Sequence, residues 1–143
     1  MKPFNIKLSP DATMPTRALD SAGYDLYAPH GYTIYHRDKI IIDTGVAIHI
    51  NRPDVCGLIL PRSSTGSKGL VITNTVPLID YGFVGNIILK VTNREEHPIR
   101  IMKGDRIAQI FFPYIYHPVF NIVDSHDETE RGCGGFGSTN STT

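Results

Sequence analysis

The chain never sustains an amphipathic helix: no window keeps apolar residues at helical spacing beyond two turns without meeting Gly or Pro. It offers instead a series of short apolar or alternating runs, at residues 4–8, 24–28, 32–35, 39–42, 46–50, 56–60, 70–72, 86–93, 99–102 and 107–115. Each is of strand length and is bounded by turn signals such as Ser9-Pro10, Pro29-His30-Gly31, Arg52-Pro53-Asp54 and Lys103-Gly104-Asp105. Many short strands must bury inner faces and protect their edges. The pattern therefore predicts an all-β barrel or double-sheet jelly roll, with at most one short helical turn at residues 63–68.

At 143 residues and 41% apolar composition, the chain suffices for one domain with a sizeable core and is too short for two. The strand pattern stops near residue 123. Residues 124–143 (DSHDETERGCGGFGSTNSTT) hold one aromatic, Phe136, and no aliphatic residue, so a mobile arm is expected beyond a β-barrel domain of residues 1–123. Lys plus Arg equal Asp plus Glu at 14 each. No global field draws such a chain to nucleic acid or to an anionic membrane, whereas a small anion can still be met by a local cluster. With no apolar leader and no run long enough to span a bilayer, a soluble, intracellular protein (cytoplasm or nucleus) is expected. Cys56 and Cys133 do not make a disulfide framework and are expected to be reduced.

Five segments carry chemistry. Residues 76–86 (VPLIDYGFVGN) put Asp80 just after the apolar pair Leu78-Ile79, in what reads as a hairpin-like loop whose glycines permit unusual φ angles. A lone Asp in a turn is ordinarily a turn former, and only its companions argue for more. Asp25 lies inside the strand-like run AGYDLYA (22–28), where an acid is either a solvent-facing residue or a ligand to a metal-bound water. PRSSTGSKG (61–69) gathers hydroxyls and two cations in one turn, a set that suits phosphate oxygens or an ordinary polar loop. In KGDRIAQIFF (103–112), Gln109 is the polar residue of an apolar strand and needs partners from backbone or ligand. In the arm, Arg131, the glycines, Phe136, Ser138 and Thr139 together read as a clamp for phosphate and a stacked base.

Taken in this order, AGYDLYA, PRSSTGSKG, the Asp80 loop, GDRIAQIFF and RGCGGFGST (131–139) resemble the five motifs of the homotrimeric dUTP pyrophosphatase (dUTPase) family. The resemblance implies a distorted jelly-roll barrel, a homotrimer with shared active sites, and Mg2+-assisted hydrolysis of dUTP to dUMP and pyrophosphate. Such an activity limits uracil in DNA and supplies dUMP for thymidylate synthesis. It implies Asp80 as the general base for a water attacking the α-phosphorus, and Asp25 as a holder of Mg2+ through water. Arg62, Ser63, Ser64 and Gln109 would meet the phosphates, with Arg131, Gly137, Ser138 and Thr139 closing on the γ end. Phe136 would stack on uracil, Asn74 would help to read it, and Phe83 would pack under the sugar and exclude a 2′-hydroxyl. Four departures stand out: Phe83 replaces the usual tyrosine, Pro77 a glycine, Ser64-Thr65 a Gly-Leu pair, and Asn140 a glycine.

Two rivals are weighed on the same residues. The dCTP deaminases resemble this pattern but use a glutamate where Lys90 stands, and a cationic lysine cannot relay that proton. A non-catalytic binding trimer of the same fold has no need of a base aimed at water. Among other chemistries, the histidines at 30, 36, 49, 97, 117 and 126 lack metal-ligand spacing, and Cys133 has no nearby His to activate it.

Overall fold

The computed structural model describes residues 3–134. They form β1 (Asn5–Leu8), β2 (Tyr24–Tyr27), β3 (Tyr32–Ile34), β4 (Lys39–His49), β5 (Gly57–Leu60), α1 (Ser63–Gly66), β6 (Leu70–Ile72), β7 (Leu78–Ile79), β8 (Asn86–Asn93), β9 (Ile99–Ile101) and β10 (Arg106–Phe111). Two four-stranded antiparallel sheets, ordered β1-β4-β8-β6 and β2-β10-β5-β7, are joined by the two-stranded sheet β3-β9. Sequence neighbours are seldom sheet neighbours, so the chain crosses repeatedly between sheets in the jelly-roll-like manner expected. The alternation along β8 explains why. Ile87, Leu89, Val91 and Asn93 point inward and the residues between them do not, so one face of the sheet is dry. Ile42, Val46, Ile48, Ile59 and Ile110 meet them in the same core.

Asn93 and Thr44, buried polar side chains in this core, are both satisfied. Asn93 is fully buried; its Nδ2 donates to the carbonyls of Ile34 and His97, each at 2.9 Å, and its Oδ1 accepts the Glu95 N–H at 2.8 Å. One amide thus ties the β8–β9 turn to β3. Thr44, equally buried, donates its hydroxyl to the Ile87 carbonyl at 2.9 Å and accepts the Val46 N–H at 3.2 Å.

Three sequence expectations need correction. Residues 39–42 and 46–50 read as two strands, yet β4 is one strand of 11 residues. The break is a bulge: β8 advances from Ile88 to Asn86 while β4 advances from Asp43 to Ala47. Gly45 there takes φ +68°, the Asp43 carboxylate accepts the Gly45 N–H at 2.8 Å, and Thr44 fills the gap beneath. The last strand, expected to reach residue 115, ends at Phe111, because Pro113 cannot extend a ladder and only an isolated bridge, Val55 to Tyr114, follows. Residues 76–86 do not close a hairpin. β7 pairs with β5 in one sheet, whereas Asn86 opens β8 opposite Ala47 in the other, so the loop passes from sheet to sheet. Neither Gly82 nor Gly85 takes a positive φ, and of the apolar pair only Ile79 is buried, Leu78 being 56% exposed.

Beyond β10 the chain is held at one more place. Arg52 donates to both oxygens of Asp54, at 3.0 and 2.5 Å, and its guanidinium lies 5.2 Å from the centre of the Tyr114 ring. Ile115 N–H donates to the Asp54 carbonyl at 2.9 Å, and His117 Nε2 donates to the Pro53 carbonyl at 3.0 Å. Val119, Phe120 and Ile122 follow with almost their whole surface exposed.

Replacing Gly45 by Ala is expected to cost about 2 kcal/mol, since L-residues pay roughly 1–2 kcal/mol in the left-handed region, and the new Cβ would lie 2.9 Å from Ala12 Cβ. A urea midpoint unchanged from the parent would contradict this assignment of the bulge. The Arg52 guanidinium holds the Asp54 carboxyl below the usual carboxylate range. The contribution of the pair to stability is therefore present above the ordinary aspartate pKa and is lost as pH falls through the lowered one. An NMR titration of the Tyr114 ring should show a midpoint below that of a free aspartate, and Arg52→Gln should move it up.

Candidate functional site

The register of the second sheet assembles the first part of a site. On β10, Gln109 lies opposite Asp25 of β2 on one side and Leu60 of β5 on the other. Two residues past Leu60, the chain turns at Arg62 into α1, so Asp25, Gln109 and Arg62 converge at one end of three neighbouring strands. Asp25 is half-buried between two guanidinium groups: Arg62 Nε lies 2.7 Å from its Oδ1 and Arg106 Nη1 3.4 Å from its Oδ2. Gln109 is satisfied by the backbone, its Nε2 donating to the Pro61 carbonyl at 3.1 Å. Gly23 makes room for that amide, because a Cβ there would lie 3.1 Å from Gln109 Oε1.

Thr65, read from sequence as a departure, proves to be the lock of the Arg62 turn. Its hydroxyl accepts the Arg62 N–H at 3.1 Å and donates to the Arg62 carbonyl at 2.8 Å. Arg62 Nη1 also donates to Ser64 Oγ at 3.3 Å, while Ser63 stays exposed at the start of α1. A cavity of about 250 Å³ opens beside this turn, lined by Arg62, Ser64, Lys68, Arg100, Asp105 and Arg106 among others. Its cationic lining suits an anion. Arg106 and Arg100 escaped sequence reasoning; the signal for Arg106 was a cation three residues before Gln109 on the same strand.

The second part lies elsewhere. β7 pairs Ile79 with Gly57 and Leu78 with Leu58, so Asp80 leaves the sheet at the Cys56 end of β5, whereas Arg62 leaves at the Leu60 end. At a rise of about 3.3 Å per residue the two are roughly 15–20 Å apart. Asp80 is exposed, and its carbonyl accepts the Phe83 N–H at 3.0 Å. Asn74 is half-buried beside β8, where its Oδ1 accepts the Lys90 N–H at 3.2 Å. Within one chain, then, Asp25, Arg62, Ser64 and Gln109 come together, and Asp80 and Phe83 do not join them.

Arg131 is exposed, its Nε donating to the Gly134 carbonyl at 3.2 Å in a local turn. Phe136, Gly137, Ser138 and Thr139 lie outside the described residues. Among the described residues no three His, Cys, Asp or Glu side chains gather to hold a metal ion, Cys56 and Cys133 are both free, and no helix is long and apolar enough to cross a membrane.

With this geometry in view, the comparisons with known proteins agree with one another. The dUTPase family model matches residues 11–140. The deoxyuridine 5′-triphosphate nucleotidohydrolase of Histophilus somni (strain 2336) is 38% identical over 141 residues, which cover 96% of this chain and 93% of that one. That of Mannheimia succiniciproducens is 44% identical over 120 residues, covering 82% and 80%. Among solved structures, a variant of the Staphylococcus bacteriophage 80alpha dUTPase with dUpNHpp superposes with a TM-score of 0.87 at 29% identity, over 97% of this chain and 99% of that one. A variant dUTPase from phage phi11 of S. aureus, which coordinates a structural Mg(II) ion, gives 0.80 at 25% identity, over 89% and 100%.

Proposed function

This chain belongs to the dUTPase family and hydrolyses dUTP, and we propose that it does so at sites assembled between copies of the chain in a homotrimer. The observation that carries this reading is the pairing of β5 with β7, which places Asp80 beyond one end of β5 while Arg62 follows the other. A base and a phosphate clamp so far apart in one chain can serve one substrate only if neighbouring copies supply them to each other. The exposed apolar run at Val119, Phe120 and Ile122 supports the same reading, since such a stretch is stable in water when another chain covers it.

In that site Asp80 takes a proton from the water that attacks the α-phosphorus, and pyrophosphate leaves as the P–O bond to the β-phosphate breaks. Arg62, with Ser63 and Ser64, holds the phosphates in line, Gln109 contacts the oxygens beside the breaking bond, and Arg131 with the arm's Gly137, Ser138 and Thr139 closes over the γ end. Phe83 lies under the deoxyribose, and Asn74 and Phe136 meet the uracil. The donor set fits Mg2+: a single carboxylate, Asp25, set among phosphate-binding cations suits an ion bound mostly by the triphosphate itself. When bound, the ion neutralises charge on the phosphate oxygens. Arg106 then keeps a hold on Asp25 when Arg62 turns to the substrate.

Purified protein with Mg2+ is expected to release pyrophosphate from dUTP and not from dTTP, dCTP or UTP, and Asp80→Asn should lower kcat by about 10²–10⁴-fold, the usual worth of a general base. Turnover lost with Asp25→Asn but intact with Asp80→Asn would reassign the base. The shared site has its own test. Asp80→Asn and Arg62→Ala variants, each weak alone, should recover activity when unfolded together and refolded as mixed trimers, with about one quarter of the sites carrying both native groups. No recovery on mixing would place Asp80 and Arg62 of one site in the same chain.

A further inference from the structure

Phe83 is 41% exposed, so the core does not fix its ring. It lies against Gly85 instead. A Cβ built on Gly85 would lie 2.7 Å from Phe83 Cζ, 3.1 Å from Cε2 and 3.5 Å from Cε1, which means that the far edge of the ring rests on the bare α-carbon of Gly85. The glycine is not there for its backbone, since its φ is not positive and an L-residue would be tolerated on that account. Nor is glycine required throughout the loop, for a Cβ at Gly82 would meet nothing within 4 Å. Gly85 also stands on firm ground. Its successor Asn86 opens β8 opposite Ala47, and Asn86 Nδ2 donates to Asp43 Oδ2 at 3.2 Å, the same carboxylate that steadies the β4 bulge.

We infer that Gly85 is a positioning residue for sugar selection: by lacking a side chain it seats the Phe83 ring against the rigid start of β8, at the height that leaves no room for a 2′-hydroxyl. The inference rests on the reading above that Phe83 lies under the sugar. A methyl at Gly85 would push the ring off this seat and turn it aside, opening space beneath the sugar without disturbing the fold, because the clashing atoms belong to an exposed side chain. Base recognition and phosphate binding come from other residues and are left in place.

The test compares kcat/KM for dUTP and for UTP in Gly82→Ala, Gly85→Ala, Phe83→Ala and the Phe83→Ala/Gly85→Ala double variant, with thermal unfolding as a check that each folds. Gly85→Ala is expected to lower the dUTP/UTP ratio by roughly tenfold or more, the usual reach of a steric pocket, while Gly82→Ala leaves it at the parent value. Phe83→Ala should lower the ratio too, and adding Gly85→Ala to it should change nothing further, since the ring through which Gly85 acts is gone. A parent-like ratio in Gly85→Ala, with a lowered one in Phe83→Ala, would overturn the seat and keep the sugar reading. A parent-like ratio in Phe83→Ala would overturn both. Loss of folding in Gly85→Ala that is relieved in the double variant would still establish the contact, and the double variant's ratio matching that of Phe83→Ala would then support its role.

Discussion

The pairing of β10 between β2 and β5 is the constraint on which the rest depends. One antiparallel register sets Gln109 level with both Asp25 and Leu60, and everything polar at that end of the sheet follows from it. A slip of one residue would turn Gln109 into the core and Ile110 to solvent, exchanging the faces of a strand whose inner side is fully buried. The hydrophobic pattern thus fixes chemical geometry indirectly. Burying Ala108 and Ile110 is what holds the amide and the carboxylate side by side on the other face.

Much of this was legible in the residues. The strand series needed only the recurrence of short apolar runs and their breakers, and the need of Gln109 for partners was readable from its residue type, whereas the grouping of Asp25, Arg62 and Gln109 in one site followed from the resemblance of their motifs. What was not legible depends on satisfaction by distant groups. The sequence 43–45 looks like a turn, and it becomes a bulge because Asp43 and Thr44 side chains pair amides that a turn would have left to water. The loop after Ile79 looks like a hairpin because glycines in short loops commonly close one. That its two flanks belong to different sheets is a property of β5 and β4, far away in sequence. Arg106 was overlooked for a similar reason: a cation at the start of a strand is ordinary until a carboxylate on the neighbouring strand comes within its reach.

The two halves of the site differ in how they are made rigid. The Arg62 half is held by side chains that hydrogen-bond backbone, Thr65 and Gln109 foremost, so its geometry is built before any substrate arrives. The Asp80 half is a crossing between sheets, fastened at Ile79 and Asn86 with exposed residues between. Rigid anchors a few residues away on each side let such a loop present the Asp80 carboxylate without burying it.

The clasp of Arg52, Asp54 and Tyr114 has a further consequence, one of tether length. The last contact it organises is at His117, and Arg131 follows about fourteen residues later, a stretch that extended chain spans in at most about 50 Å. That exceeds the breadth of a domain of this size, roughly 35–40 Å from its expected radius of gyration. In the homotrimer proposed above, that stretch is long enough for Arg131 to reach the surface of a neighbouring copy as well as its own. For as long as such copies stay assembled, its concentration there would be set by the leash and not by how much protein is in solution.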